Sequence, residues 1–386
     1  AIAPMATTLP THLSLMTGLN PLEHGTTANV MHGGTRFVPS ERVQTVAQLL
    51  QSAGYQTAGF VSAAPLKKGT GIDRGFDSFD QPQGMERSAD QTVGKAQRWL
   101  QEIDLSRPWF LWVHLYDPHN PYAPVEPYRS RFVGDGEQAA WLAERGFSES
   151  SVRPGKPEPG RAAGEVVQTV PANDRYDGEI AFMDAQLAML FAQIQSTRSK
   201  PVILVVGDHG EGLGQHDQPG HGRVWNEQLR VPMMLHIPGL ASGRHPETVG
   251  VVDLMPTLLG QVPIEGDQAF LEQASGVDVL AEGVQGRRVL SLQSDRQVSE
   301  FGQPPTVALT SKDEKWILRE GHGVQRYDRS QDPHELEPIA GSAEHVADLQ
   351  RIQQGFLERA QELGQGRAET VSEQDLQALE ALGYIE

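Results

Sequence analysis

Two short apolar runs, residues 109–115 (WFLWVHL) and 201–206 (PVILVV), each pass directly into a polar loop bearing histidines. Runs of this length, dense in β-branched and aromatic side chains, fit strands covered on both faces, the usual condition of a parallel sheet. Ligands bind beyond the carboxyl ends of such strands, so residues 116–122 and 207–223 are the loops where chemistry is expected. Helical spacing marks RVQTVAQLLQSA at 42–53, stopped by Gly54, and DGEIAFMDAQLAMLFAQI at 177–194. Strands alternating with helices predict an α/β sheet. Residues 134–171, rich in Gly, Pro, Ser and charge, read as a long surface excursion that could act as a lid. From residue 286, short alternating runs at 306–310 and 315–318 and a helix over 343–362 predict a small antiparallel sheet with one helix. The expected domains are therefore 1–285 and 286–386.

Charge narrows the partners. With 32 basic against 50 acidic residues and a net charge of −18, the chain lacks the basic face that a nucleic-acid polymer requires. An anionic ester would have to be neutralised locally, by a bound cation and a few placed donors. The absence of cysteine excludes thiolate metal sites and thiol nucleophiles. No apolar run reaches the roughly 18 residues of a membrane span. The opening AIAPMATTLPTHLSLMTG has neither the charged nor the apolar part of a signal peptide. It reads as the middle of a domain, with the natural N-terminus expected upstream of Ala1.

Four clusters carry chemistry. Gly207-Asp208-His209-Gly210-Glu211 follows the second strand and offers one oxygen and one nitrogen ligand side by side. His216 and His221 follow within the same glycine-rich loop, and His221, flanked by Gly220 and Gly222, is the stronger of the two. The first strand leads into Asp117-Pro118-His119-Asn120-Pro121, where the prolines hold Asp117 and His119 in fixed directions. His114, inside the apolar run, reads as a hydrogen-bonded core histidine. Finally, Thr7-Thr8-Leu9-Pro10-Thr11-His12 enters a helix-like run ending at Gly18, placing hydroxyls at a helix N-terminus that favours anions. Thr8 or Thr11 would serve equally as a simple helix cap.

The run TLPTHLSLMTG at 8–18 resembles the sulfatase signature, with Thr8 in the nucleophile's place. NPLEHG at 20–25, AGYQTA at 53–58, GIDRGFD at 71–77, HLYDPHNPY at 114–122, GDHGE at 207–211, LRVP at 229–232, DLMPTL at 253–258 and YDRSQDPHE at 327–335 resemble further landmarks in the same order. The resemblance is to the sulfatase-like members of the alkaline phosphatase superfamily. It implies an alkaline-phosphatase-like mixed β-sheet between helices, with a C-terminal four-stranded antiparallel subdomain. It implies Asp208, His209 and Thr8 as metal-binding groups, with His221 and Asp117 as further ligands to consider. It also implies one or two divalent ions (zinc, manganese or calcium), Asn29 and His221 on the substrate oxygens, and His119 at the leaving group. A small-molecule, glycan or lipid ester is the implied partner, and the compartment stays open, an extracytoplasmic one included.

Departures from the pattern shape the expected reaction. Threonine cannot be oxidised to the formylglycine aldehyde of ordinary sulfatases, His12 stands where the signature has arginine, and Phe60-Val61-Ser62-Ala63 replaces a Gly-Lys-Trp-His element. A threonine alkoxide attacking phosphorus is the habit of the phosphodiesterase and phosphoethanolamine transferase branches, so the expected function is phosphate ester hydrolysis, diesters favoured. A sulfate or phosphonate ester hydrolase on the same scaffold and a non-catalytic binding domain are the alternatives. The family also opens with a strand bearing metal-binding aspartates well before the nucleophile. Only seven residues precede Thr8, so the expectation is that part of the metal site and one central strand are lacking and that these 386 residues alone are inactive or feebly active.

Overall fold

A computed structural model describes residues 1–31, 34–133, 137–147, 172–197, 200–372 and 375–377. Its α/β core contains a parallel three-stranded sheet with Gln56–Phe60 in the middle, flanked by Ser78–Asp80 and Trp109–Val113. The strand Ile203–Val206 pairs antiparallel with Met233–His236 in a separate ladder, so parallel and antiparallel pairs both occur. As the sequence indicates, both apolar runs are strands that end immediately before the histidine-bearing loops. Each is shorter than its apolar run: His114 and Leu115 lie beyond the end of the first strand, and Pro201 and Val202 precede the start of the second.

Capping chemistry decides where the first long helical pattern begins. The Thr45 hydroxyl accepts the Gln48 N–H at 3.1 Å and the Gln48 side chain accepts the Thr45 N–H at 3.0 Å. This reciprocal box starts the helix at Val46, four residues later than periodicity alone suggests. The second pattern extends in the other direction, over Ala172–Ser196. Within the expected surface excursion, a helix Glu137–Glu144 is present and sets Trp141 against His334 with ring centroids 4.6 Å apart. Residues 134–136 and 148–171 of that excursion lie outside the described residues.

The segment that delivers Thr8 runs through the centre of the molecule. Ile2 N–H donates to the Val249 carbonyl, Ala3 N–H to the Leu229 carbonyl, and Leu292 N–H to the Pro4 carbonyl, each at 2.8 Å. The helix Thr8–Thr17 that follows is buried along its whole length and is closed by Gly18 in the left-handed region at φ 69°.

The C-terminal sheet has five antiparallel strands, one more than the resemblance implies. Their order is Ile339–Ala340, Gly323–Asp328, Glu314–Arg319, Thr306–Thr310 and Val289–Leu292. The additional member is the two-residue edge Ile339–Ala340, too short to produce a readable alternation. The helix Ala343–Leu363 packs on this sheet through Leu349, beside Leu290 and Leu309.

Candidate active site

Thr8 is the first residue of its helix and is fully buried. Its Oγ1 lies 3.5 Å from His209 Nε2, and the same nitrogen lies 3.5 Å from Asp208 Oδ2. Gly210 makes this approach possible. Its N–H donates to the Gln228 carbonyl at 2.8 Å, and a Cβ at this position would lie 2.1 Å from the Glu227 carbonyl oxygen, a space that only glycine fits. His221 brings its ring to 4.5 Å from that of His209, and His119 stands 5.7 Å from His221. Thus Thr8, Asp208, His209, His221 and His119 share one neighbourhood.

Asn29 joins them at the helix N-terminus. Its Oδ1 accepts the Leu9 N–H, one of the first-turn donors without a helical partner, at 2.8 Å. Its buried Nδ2 has no acceptor among the described residues and remains a donor. Asp117 is tied to another element. Its Oδ1 accepts the Ala89 N–H at 2.9 Å, capping the helix Ala89–Glu102, and burial raises its carboxyl to about 6. His216 braces the loop: it stacks on Trp225 at 4.0 Å and meets Glu227 Oε1 at 3.0 Å.

The imidazoles share a pattern of hydrogen bonding that assigns their tautomers. Nδ1 of His119, His209 and His221 meets the carbonyl of Asn120 at 2.8 Å, Gly210 at 2.9 Å and Ala6 at 3.0 Å. A carbonyl only accepts, so in the neutral ring the proton sits on Nδ1 and Nε2 presents a lone pair. Carbonyls in this outer position are what orient histidines toward a cation. Burial holds His119 down to about 4 and lowers His221 well below its ordinary value, so both are neutral at pH 7. Burial alone would raise the Asp208 carboxyl, but the neighbouring His209, His12 and His114 outweigh it and hold it to about 2.

The donor set fits a small divalent cation. Oxygen and nitrogen ligands about 2.0–2.2 Å from one tetrahedral ion stand roughly 3.3–3.6 Å from each other. The 3.5 Å separations Asp208–His209 and His209–Thr8 fall in that span. Among the described residues no three His, Asp or Glu side chains form one metal-ready group. The chain offers a carboxylate and an imidazole, with the Thr8 hydroxyl as the third donor.

Three participants were not legible as site residues. His12 directs Nδ1 to the Thr8 carbonyl at 2.8 Å and lies 3.7 Å from Asp208 Oδ2. His114, whose Nδ1 accepts the Ser62 N–H at 3.3 Å as a core histidine's would, also packs its ring 4.8 Å from that of His12. Its position at a strand's carboxyl end was the available signal. Glu211 lies against the Tyr122 hydroxyl, and desolvation pushes its carboxyl up to about 8.

Just behind the helix Thr8–Thr17, His24 bonds Ser14 Oγ at 3.0 Å and accepts the Thr26 N–H at 3.2 Å, and burial holds it to about 3. A depressed histidine pKa means that the unfolded chain binds the extra proton. The stability this neutral group contributes is complete above pH 6.5 and is lost as pH falls toward 3. His24→Gln is therefore expected to flatten the fall of unfolding free energy between pH 6 and 4 by about 1.4 kcal/mol per pH unit. Urea titrations across that range check it, and an unchanged slope counts against the assignment.

A sheet whose strand-end loops gather a buried hydroxyl, a carboxylate and neutral imidazoles defines an α/β protein with a metal-type polar centre. The chain belongs to the sulfatase family, whose model, described as Sulfatase, matches residues 2–264. An arylsulfatase of Clostridium perfringens (strain 13 / Type A) is 24% identical over 299 residues, covering 71% of this chain and 59% of the relative. The multifunctional alkaline phosphatase superfamily protein PehA of Trinickia caryophylli is 25% identical over 279 residues, covering 62% and 53%. The chain thus spans between half and three-fifths of the length of these relatives. The crystal structure of the phosphonate monoester hydrolase of Agrobacterium radiobacter superposes with a TM-score of 0.63 at 19% identity, covering 96% of this chain and 88% of that one, and so shares its fold.

Proposed function

We propose that the protein hydrolyses phosphate esters, diesters in preference to monoesters, with Thr8 as nucleophile. The observation that carries this reading is a fully buried threonine hydroxyl at a helix N-terminus, 3.5 Å from His209 Nε2. Charge supports the diester. The groups described around Thr8 are neutral imidazoles, amides and one carboxylate, so that with a single divalent cation the site carries about one net positive charge, a better match for a singly charged diester than for a dianionic monoester.

Asp208, His209 and Thr8 are the residues that would hold a divalent cation, and His221, with its Nε2 lone pair presented, suits the same role better than that of a donor to substrate oxygens. When bound, such a cation supplies Lewis acidity that lowers the hydroxyl pKa and offsets charge on phosphorus-bound oxygens. Asn29 Nδ2 and the first-turn N–H groups donate to the nonbridging oxygens. Thr8 Oγ1 loses its proton to solvent and attacks phosphorus in line, one ester oxygen departs, and Thr8 carries the phosphoryl group with its remaining ester. Water then cleaves the bond to Thr8, giving up a proton to His119 Nε2, and Thr8 Oγ1 regains a proton from solvent as the phosphate monoester leaves. Because His119 is a neutral acceptor and not an acid, leaving groups that depart as stable anions, such as aryloxides, are favoured.

Sulfate and phosphonate monoesters carry the same single charge, and the names of the arylsulfatase and of the phosphonate monoester hydrolase keep them as the second reading. Rates on aryl phosphodiester, phosphomonoester, sulfate and phosphonate, measured side by side, separate the two. The diester is expected to be fastest, and chelation is expected to remove at least about 99% of turnover, restored by added manganese or zinc. Sulfate turnover that exceeds diester turnover and survives Thr8→Ala would falsify the proposed chemistry.

A further inference from the structure

The loops carrying His221 and Asn29 come from distant parts of the chain, yet one short segment touches both. Immediately after the strand Val289–Leu292, Ser294 N–H donates to the Gly222 carbonyl at 2.9 Å and Gln297 Nε2 donates to the His221 carbonyl at 3.1 Å. Between them, Asp295 N–H donates to the Thr27 carbonyl at 3.3 Å, and the Asp295 carboxylate accepts the Thr27 hydroxyl. Ser294 and Gln297 are buried. Gly222 sits in the left-handed region at φ +103°, and a Cβ there would lie 3.0 Å from Gln297 Nε2, so the loop and the amide are already in contact.

The same two loops are tied at their other side to the nucleophile's own segment. His221 Nδ1 donates to the Ala6 carbonyl at 3.0 Å, and Asn29 Oδ1 accepts the Leu9 N–H at 2.8 Å. Each loop is therefore held twice, once beside Thr8 and once by residues 294–297. We infer that residues 294–297 form a positioning strap that sets the separation of His221 and Asn29 across Thr8, with Asp295 and Gln297 as its positioning residues. The strap makes no claim on the reacting atoms. It works through the two backbones it holds, and it makes the region beyond residue 286 part of the active-site architecture. The inference rests on the reading of Asn29 as a donor to the nonbridging oxygens and of His221 as a residue that would hold the cation.

Three variants test it. Asp295→Ala removes the acceptor for Thr27, Asp295→Asn keeps an acceptor oxygen, and Gln297→Met keeps length without the amide. Misplacement by about 1 Å costs on the order of a hundredfold in rate, so Asp295→Ala and Gln297→Met are expected to lower kcat on the aryl phosphodiester roughly ten- to hundredfold, with KM within about threefold. Asp295→Asn is expected to restore kcat. Lowered thermal midpoints with unchanged kcat would show a merely structural segment and overturn the inference. A second readout needs no turnover: the rate at which diethyl pyrocarbonate modifies His221, followed by peptide mass spectrometry. It is expected to change severalfold in Gln297→Met, and an unchanged rate overturns the strap whatever the enzyme hydrolyses. A changed rate in a protein that turns over none of the esters upholds the strap and removes only the proposed reaction.

Discussion

Replacing Thr8 by alanine is expected to lower kcat on the aryl phosphodiester by a factor on the order of 10³–10⁶, the range seen when a covalent nucleophile is removed. The folded state should tolerate the change. Among the described residues the Thr8 hydroxyl makes one long contact, 3.5 Å to His209, and the side chain occupies the start of a helix held by many other buried residues. The loss of stability is expected to be about 1 kcal/mol, within the range of a modest hydrogen bond and a methyl group. Thr8→Ser keeps the hydroxyl and should retain measurable turnover. Acid quenching of the wild type during turnover should trap a phosphorylated peptide that contains Thr8. A Thr8→Ala enzyme within tenfold of wild type would end the nucleophile assignment, whatever the substrate.

Lys315→Met is expected to destabilise the protein by roughly 3–5 kcal/mol, the cost of leaving one member of a buried ion pair alone. Lys315 and Glu335 are both buried, with Nζ 2.6 Å from Glu335 Oε1. The same ammonium donates to the Val224 carbonyl at 2.5 Å and to Asn226 Oδ1 at 3.3 Å, while Glu335 Oε2 accepts the Asn226 N–H at 2.9 Å. The pair therefore joins the strand Glu314–Arg319 to the segment just after His221.

Burial raises the Glu335 carboxyl and Lys315 opposes that rise, so without the lysine it would rise further. A raised carboxyl pKa favours the folded state in acid and loses that advantage as pH increases. The deficit of Lys315→Met should accordingly be largest at neutral pH and should shrink as pH falls. Lys315→Met combined with Glu335→Leu should recover most of the loss. Urea denaturation at pH 7 and pH 5 checks both statements, and equal deficits for the single and double variants would show that charge pairing is not the cause.

Local pattern carried much of the fold. The runs WFLWVHL and PVILVV are strands, the alternating segments 306–310 and 315–318 lie in the C-terminal sheet, and the helix expected over 343–362 is Ala343–Leu363. These elements are legible because side-chain period and capping are properties of neighbouring residues. The edge strand Ile339–Ala340 was not, since two residues have no period. Among the described residues no helix is long and apolar enough to cross a membrane.

The sequence by itself determined which residue types were available at the strand ends and the order of landmarks that places the chain in its family. Only the tertiary structure decided what those residues do to one another. His12, read first as a departure from a signature, binds the Thr8 carbonyl and approaches Asp208. Asp117, grouped in sequence with His119, also accepts the N–H of Ala89 at the start of a helix 28 residues earlier in the chain. His221 owes its tautomer to the carbonyl of Ala6, which is 215 residues away in sequence. The physical reason is common to all three. A hydrogen bond that fixes a ring nitrogen or a carboxylate depends on direction to within a few tenths of an ångström, and that direction is set by chain crossings between distant segments, which no local pattern of residues encodes.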